Sequence, residues 1–324
     1  MIPTDRPLRI VFLDAETLRP GTAIKPFAVP AILENHPRTA PDEVVDRIRS
    51  ADVVIVNKVR LGAAEMDAAP ALRMIALAAT GSDNVDLAAA RARGIVVSNI
   101  RDYARATVPE HTFALILALR RSLVPYRRSV LEGRWQSAAQ FCYHDFPIAD
   151  LAGSTLGIVG SGSLGSRVAE IGRAFGMEPI FAARKSGAAS RPDAVPFAEF
   201  LARADVVSLH CPLGPDTANL FGAAEFAAMK RTALLINTAR AGLVDVVALE
   251  AALTRGEIAG AGIDVAAPEP PPADAPVMRL AARENVILTP HVGWASREAV
   301  QTMADQLVDN IDAFAAGTPR NRVA

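Results

Sequence analysis

Short runs of valine and isoleucine recur along this chain, and a stretch of helical spacing separates each from the next. RIVFLDA (9–15), DVVIVN (52–57) and GIVVSNI (94–100) are the clearest in the first hundred residues. PDEVVDRIRS (41–50) has helical spacing, and ALRMIALAATGSDNVDLAAARARG (71–94) reads as strand, loop and short helix. Strands that never follow one another directly cannot pair as hairpins. They require crossover connections, which give parallel strands with helices on both faces. An α/β class is therefore predicted.

A second series begins at Thr155. TLGIVGSGSLGSRVAEIGRAFG is strand, glycine turn and helix, and EPIFAAR a strand. FAEFLARA is a helix, and DVVSLHCPL, ALLINTAR (233–240), GAGIDV (260–265) and VILTPH (286–291) are strands. This predicts a doubly wound sheet of about six strands. The chain has 324 residues, more than one core usually serves, so two domains are expected. TVPEHTFALILALRRSLVPYRRSV (107–130) is expected as one long helix, with Pro109 in its tolerant first turn.

A formal net charge of −1 without a block of like charge excludes a nucleic-acid surface or a polybasic membrane contact. Cys142 and Cys211 are too few for a disulfide framework and suit a reducing compartment. MIPTDRPLRIVFLDAE lacks the pattern of a signal peptide, and no apolar run reaches the roughly 18 residues of a membrane span. A cytoplasmic location is expected.

GSGSLG (160–165) matches G-x-G-x-x-G between a strand and a helix. Gly160 permits the tight turn, Gly162 lets backbone approach a pyrophosphate, and Gly165 lets helix pack on strand. The N–H groups of Ser163 and Leu164 open the helix and face the anion.

Arg240 ends LLINTAR, Glu269 follows GAGIDV, and His291 ends VILTPH. Each alone has an ordinary explanation: a structural salt bridge, a solvated loop acid, a satisfied histidine. At three successive strand ends they can converge on one crevice. They would supply a guanidinium for a carboxylate, an imidazole for a proton, and an acid to tune it. Trp294 either lines a pocket or packs on the last helix, and Lys58 and Arg60 either add positive potential or face water.

The motifs LGIVGSGSLG, ADVVSLHCPLGPDTANLF, LLINTARAGLVD, GAGIDV…EP and LTPHVGWAS, in that order, resemble the D-isomer-specific 2-hydroxyacid dehydrogenases over nearly the whole chain. NKV (57–59), AATGSDNVDL (78–87), DFPIADLAG (145–153) and PHVGWAS look closest to the glycerate dehydrogenase, or hydroxypyruvate reductase, branch. The resemblance implies two Rossmann-like domains. One is a discontinuous substrate domain (1–103 with 292–324), the other a dinucleotide-binding domain (104–291). It implies Arg240 as the substrate-binding arginine and Glu269 and His291 as a catalytic pair. Asp264, Thr238 and Ala239 would lie by the nicotinamide and Cys211 and Pro212 along the adenosine half, with Thr217 and Gly293 also binding the cofactor. Thr80, Gly81 and Ser82 would hold the substrate carboxylate. The family is usually homodimeric. No metal site is implied. Ala241 stands where the family commonly has glycine.

IFAARKSG (180–187) departs further. Relatives that prefer NAD place an acid near Ala183 to bind the ribose hydroxyls. Here Arg184 and Lys185 follow instead, groups able to pair a 2′-phosphate. NADP(H) is expected to be favoured, with NAD(H) possible. The activity implied is reduction of a small 2-keto acid, hydroxypyruvate or glyoxylate, to the D-2-hydroxy acid. A bulkier keto acid, or a non-catalytic nucleotide-sensing module of the corepressor kind, is the alternative.

Overall fold

The computed structural model describes residues 6–188 and 191–324. Residues 1–5, the start of the stretch weighed as a signal peptide, lie outside them. The chain divides into two compact units. Unit 1 comprises Met1–Ala104 and Ala295–Ala324, and unit 2 comprises Arg105–Trp294.

Unit 1 holds strands β1 (Leu8–Phe12), β2 (Ala31–Asn35), β3 (Val53–Val56), β4 (Met74–Leu77) and β5 (Val96–Ser98). All pair in parallel, in the order β2-β1-β3-β4-β5. Every residue of β3 and β4 is buried, as expected of strands covered on both faces. β2 is an edge strand with Ile32 exposed. Its residues show neither an apolar run nor clean alternation, so its pattern does not mark it as a strand. The helix Arg297–Ala315 returns to this unit and buries Val300, Met303, Leu307 and Ile311. Behind β3, the buried carboxylate of Asp14 accepts the backbone N–H groups of Asn57, Lys58 and Val59.

Unit 2 holds β6 (Thr155–Val159), β7 (Glu178–Phe181), β8 (Val206–Leu209), β9 (Leu234–Asn237), β10 (Gly260–Ile263) and β11 (Val286–Leu288). Its all-parallel order is β11-β10-β9-β8-β6-β7. The chain steps from β6 to β7 on one side and then to β8 on the other. The crevice at the carboxyl ends of β6 and β8 is therefore the switch point, where open α/β sheets take their ligands.

The long helix expected over 107–130 is two. Thr107–Arg120 ends where Ser122 turns left-handed (φ 48°), and Leu123–Leu131 follows. The Ser122 hydroxyl donates to the Pro147 carbonyl, and Arg121 pairs with Asp150. The returning loop thus captures the two residues at the break, which periodicity alone does not reveal. Among the described residues no helix is long and apolar enough to cross a membrane.

Candidate active site

The glycine turn closes β6 against the end of β8. A side-chain carbon built on Gly160 would lie 2.5 Å from the His210 carbonyl and 2.8 Å from the Cys211 N, and φ there is +102°. One built on Gly165 would lie 2.0 Å from the Gly160 carbonyl. Nothing lies within 4 Å of the same position at Gly162. The protein's own packing thus requires glycine at 160 and 165, whereas open space lies in front of 162, where the motif brings a pyrophosphate. The helix Ser163–Ala174 starts there, and its first N–H groups suit an anion. These residues fit a dinucleotide.

Cys211 and Pro212 follow β8 after His210, and the Cys211 N borders the glycine turn. Burial pushes the Cys211 thiol up, which suits a packing role better than a nucleophile's. The Thr217 hydroxyl is engaged in its own turn, donating to the Pro212 carbonyl and accepting the Gly214 N–H. Ala183 is buried just beyond β7, and Arg184 and Lys185 are exposed after it. Lys185 Nζ lies 2.6 Å from Glu225 Oε1.

β9, β10 and β11 are neighbours, so their carboxyl ends lie side by side. Arg240 follows β9, Glu269 follows β10, and His291 follows β11. The His291 Nδ1 is 2.7 Å from Glu269 Oε2, and Glu269 Oε1 accepts the Ala266 N–H. With a carboxyl group against Nδ1, the other ring nitrogen, Nε2, is left for a different partner. The backbone of His291 is left-handed (φ 53°), a costly conformation for a histidine. Several bonds hold it. Its N–H reaches the Thr289 carbonyl, and its own carbonyl accepts the Trp294 indole N–H. Trp294 therefore has a definite role that its sequence position left open.

Asp264, at the end of β10, anchors the same loop. It is 2% exposed and accepts the N–H groups of Val292 and Gly293 and the Thr289 hydroxyl. His111 Nε2 lies 3.0 Å from Thr289 Oγ1 and 3.4 Å from Asp264 Oδ1. Burial alone would raise the Asp264 carboxyl; His111, Thr289 and the two N–H groups outweigh it and hold it below its ordinary range. The Thr107 hydroxyl donates to the Gly293 carbonyl.

The turn after β9 is fastened by Asn237, whose side chain accepts the Ala239 N–H and donates to the Arg240 carbonyl. Thr238 bonds Thr112, and Ala241 opens the short turn Ala241–Leu243. His111, Thr289 and Asn237 were not singled out from the sequence. His111 reads there as one polar position of a helix, and its partners are more than 150 residues away. Thr80, Gly81 and Ser82 follow β4 in unit 1, where the Thr80 hydroxyl donates to the Ile100 carbonyl.

The D-isomer specific 2-hydroxyacid dehydrogenase NAD binding domain matches residues 113–293. The chain belongs to the D-isomer specific 2-hydroxyacid dehydrogenases. It is 48% identical to the glycerate dehydrogenase of Methylorubrum extorquens, over 97% of this chain and 98% of that one. It is 32% identical to the hydroxypyruvate reductase of Blautia hydrogenotrophica, over 98% of this chain and 99% of that one. A solved acyclic imino acid reductase in complex with NADPH and D-Arg superposes with a TM-score of 0.83 at 28% identity, covering 98% of this chain and 100% of that one. The 2-hydroxyacid dehydrogenase is an oxidoreductase acting on CH–OH groups, uses a nicotinamide dinucleotide, and acts on small 2-hydroxy and 2-keto acids.

His210 touches the glycine turn and is held neutral. Burial pushes its ring from 6.5 down to about 4. The unfolded chain takes up this proton at higher pH than the folded one, so stability falls as pH drops through that window and is untouched above it. His210→Gln should therefore lose about 2 kcal/mol less stability than the wild type between about pH 7.5 and about pH 4.5. Urea unfolding at each pH measures this, and equal losses would show that the ring is not held neutral.

Proposed function

We propose that this dehydrogenase reduces hydroxypyruvate or glyoxylate to the D-2-hydroxy acid, with His291 as proton donor and NADP(H) favoured over NAD(H). The 2.7 Å pairing of His291 Nδ1 with Glu269 carries the reading. It leaves Nε2 for a substrate at strand ends that also bear Arg240. A bound reduced nicotinamide supplies the hydride. Arg240 holds the substrate carboxylate through paired hydrogen bonds and polarises the ketone. Charge develops on the ketone oxygen, and His291 Nε2 donates a proton to it. Glu269 engages Nδ1 and fixes the orientation of the ring.

Asp264 holds the loop of His291 beside the nicotinamide through the Val292 and Gly293 N–H groups. Gly160, Gly162, Ser163, Leu164 and Gly165 hold the pyrophosphate, with Thr238, Ala239 and Gly293 beside the nicotinamide. Cys211, Pro212 and Thr217 line the remainder. Arg184 takes the 2′-phosphate with Lys185 beside it. Thr80, Gly81 and Ser82 offer backbone N–H groups to the substrate carboxylate. Unit 2 serves as the cofactor domain, unit 1 as the substrate domain, and the cytoplasm as their place of work.

The substrate reading draws on the glycerate dehydrogenase and hydroxypyruvate reductase relatives, and the cofactor reading on the replacement of an acid by Ala183 and Arg184. Turnover of hydroxypyruvate and glyoxylate should give kcat/KM at least about tenfold higher with NADPH than with NADH, roughly 1.4 kcal/mol. A preference for NADH would overturn the cofactor reading. No turnover of either acid would overturn the substrate reading. His291→Gln should lower kcat by on the order of a hundredfold or more, while the dissociation constant for the reduced cofactor stays within about twofold. Loss of cofactor affinity with intact turnover would remove His291 from the proton-donor role.

A homodimer accounts for an apolar patch in unit 2. Leu123, Val124, Leu131, Trp135, Phe141 and Ile148 are all exposed, Phe141 at 87%. A lone chain does not ordinarily leave so many large apolar groups in one segment to water. Sedimentation equilibrium should return the mass of two chains, and Phe141→Asp should shift it towards one; a wild-type mass of one chain removes the dimer.

A further inference from the structure

The missing acid near Ala183 has a counterpart that comes from another part of the chain. Glu225 lies in the short helix Ala223–Ala228, 42 positions beyond Ala183 in sequence yet within reach of the segment after β7. It is 8% exposed, rare for a glutamate. Its Oε1 lies 2.6 Å from Lys185 Nζ, and its Oε2 accepts the Gly222 N–H at 3.0 Å. The second bond closes a capping contact that prevents the carboxylate from swinging away. Burial raises the group, but Lys185 and the Gly222 N–H outweigh it, so the carboxyl is held low and charged. Lys185 is half-exposed on the other side.

We propose that Glu225 is a specificity-determining residue that holds Lys185 and offsets its charge, so that Arg184 acts as the effective cation for a 2′-phosphate. Besides Arg184, the charged groups around the end of β7 cancel in pairs: Lys185 with Glu225, and Arg191, which lies over the Phe181 ring, with Asp193. If Lys185 left for a phosphate, it would strand a buried carboxylate, which costs more than an exposed ion pair contributes. Lys185 therefore stays. Glu225 thus moderates the NADP preference that Arg184 creates and keeps the site open to NAD.

The inference rests on the reading of this segment as the ribose end of a dinucleotide site, and the test separates the two. The intact protein is titrated calorimetrically with adenosine 5′-monophosphate and with adenosine 2′,5′-bisphosphate, probes that report no catalysis. Glu225→Gln preserves the acceptor for Gly222 and removes the charge. The bisphosphate should bind on the order of fivefold tighter to this variant, with the monophosphate changed by less than about twofold. Glu225→Gln with Lys185→Gln removes a neutral pair as a unit and carries little risk to the fold. It should return the ratio of the two affinities to within about twofold of the wild type. An unchanged ratio in the single variant, or a collapsed bisphosphate preference in the double variant, overturns the role of Glu225. Binding of neither probe to the wild type would instead overturn the dinucleotide reading of the segment.

Discussion

The buried carboxylate of Asp264 is the point on which the ends of β10 and β11 depend. Its two oxygens accept the N–H groups of Val292 and Gly293 and the Thr289 hydroxyl, with His111 beside them. An unpaired carboxylate at this depth would be heavily penalised. Paired in this way, it ties the loop beyond β11 to the end of β10. His291 can then keep a left-handed backbone, because the bonds on both sides of it over-determine that conformation. Glu269 completes the arrangement from the ring side. The orientation of one imidazole is therefore set by groups from two strand ends and from the helix Thr107–Arg120.

The other end of the same sheet works by close approach. Gly160 leaves no room for a side chain against the His210 carbonyl, and Gly165 none against Gly160. Gly162 is different, since its missing side chain leaves space that nothing in the protein fills. One six-residue motif thus contains two kinds of glycine: two demanded by packing and one that keeps a cradle clear. The helix that starts in the motif adds N–H groups aimed at an anion.

Much of this was legible from residues 155–165 and from the ends of ALLINTAR, GAGIDV and VILTPH. Their apolar runs specify strands, the runs alternate with helical patterns, and polar groups at strand ends are visible by position alone. Three things were not legible. Ser122 breaks an otherwise continuous helical pattern, because Pro147 and Asp150 come back to meet it. β2 is an edge strand whose pairing, not its composition, makes it a strand. Lys185, a plain surface cation in sequence, is held by a buried acid from a helix about forty residues later.

By itself the sequence determined the α/β class, the glycine turn, and the residue types available at each strand end. These follow from local patterns, since strand and helix periods and tight turns are encoded within a few residues. The tertiary structure alone decided that His111 meets Thr289 and Asp264, and that Glu225 meets Lys185. Hydrogen bonds and ion pairs act over about 3 Å. Residues more than a hundred positions apart, such as His111 and Thr289, come within that range only once the sheet has set the strand order.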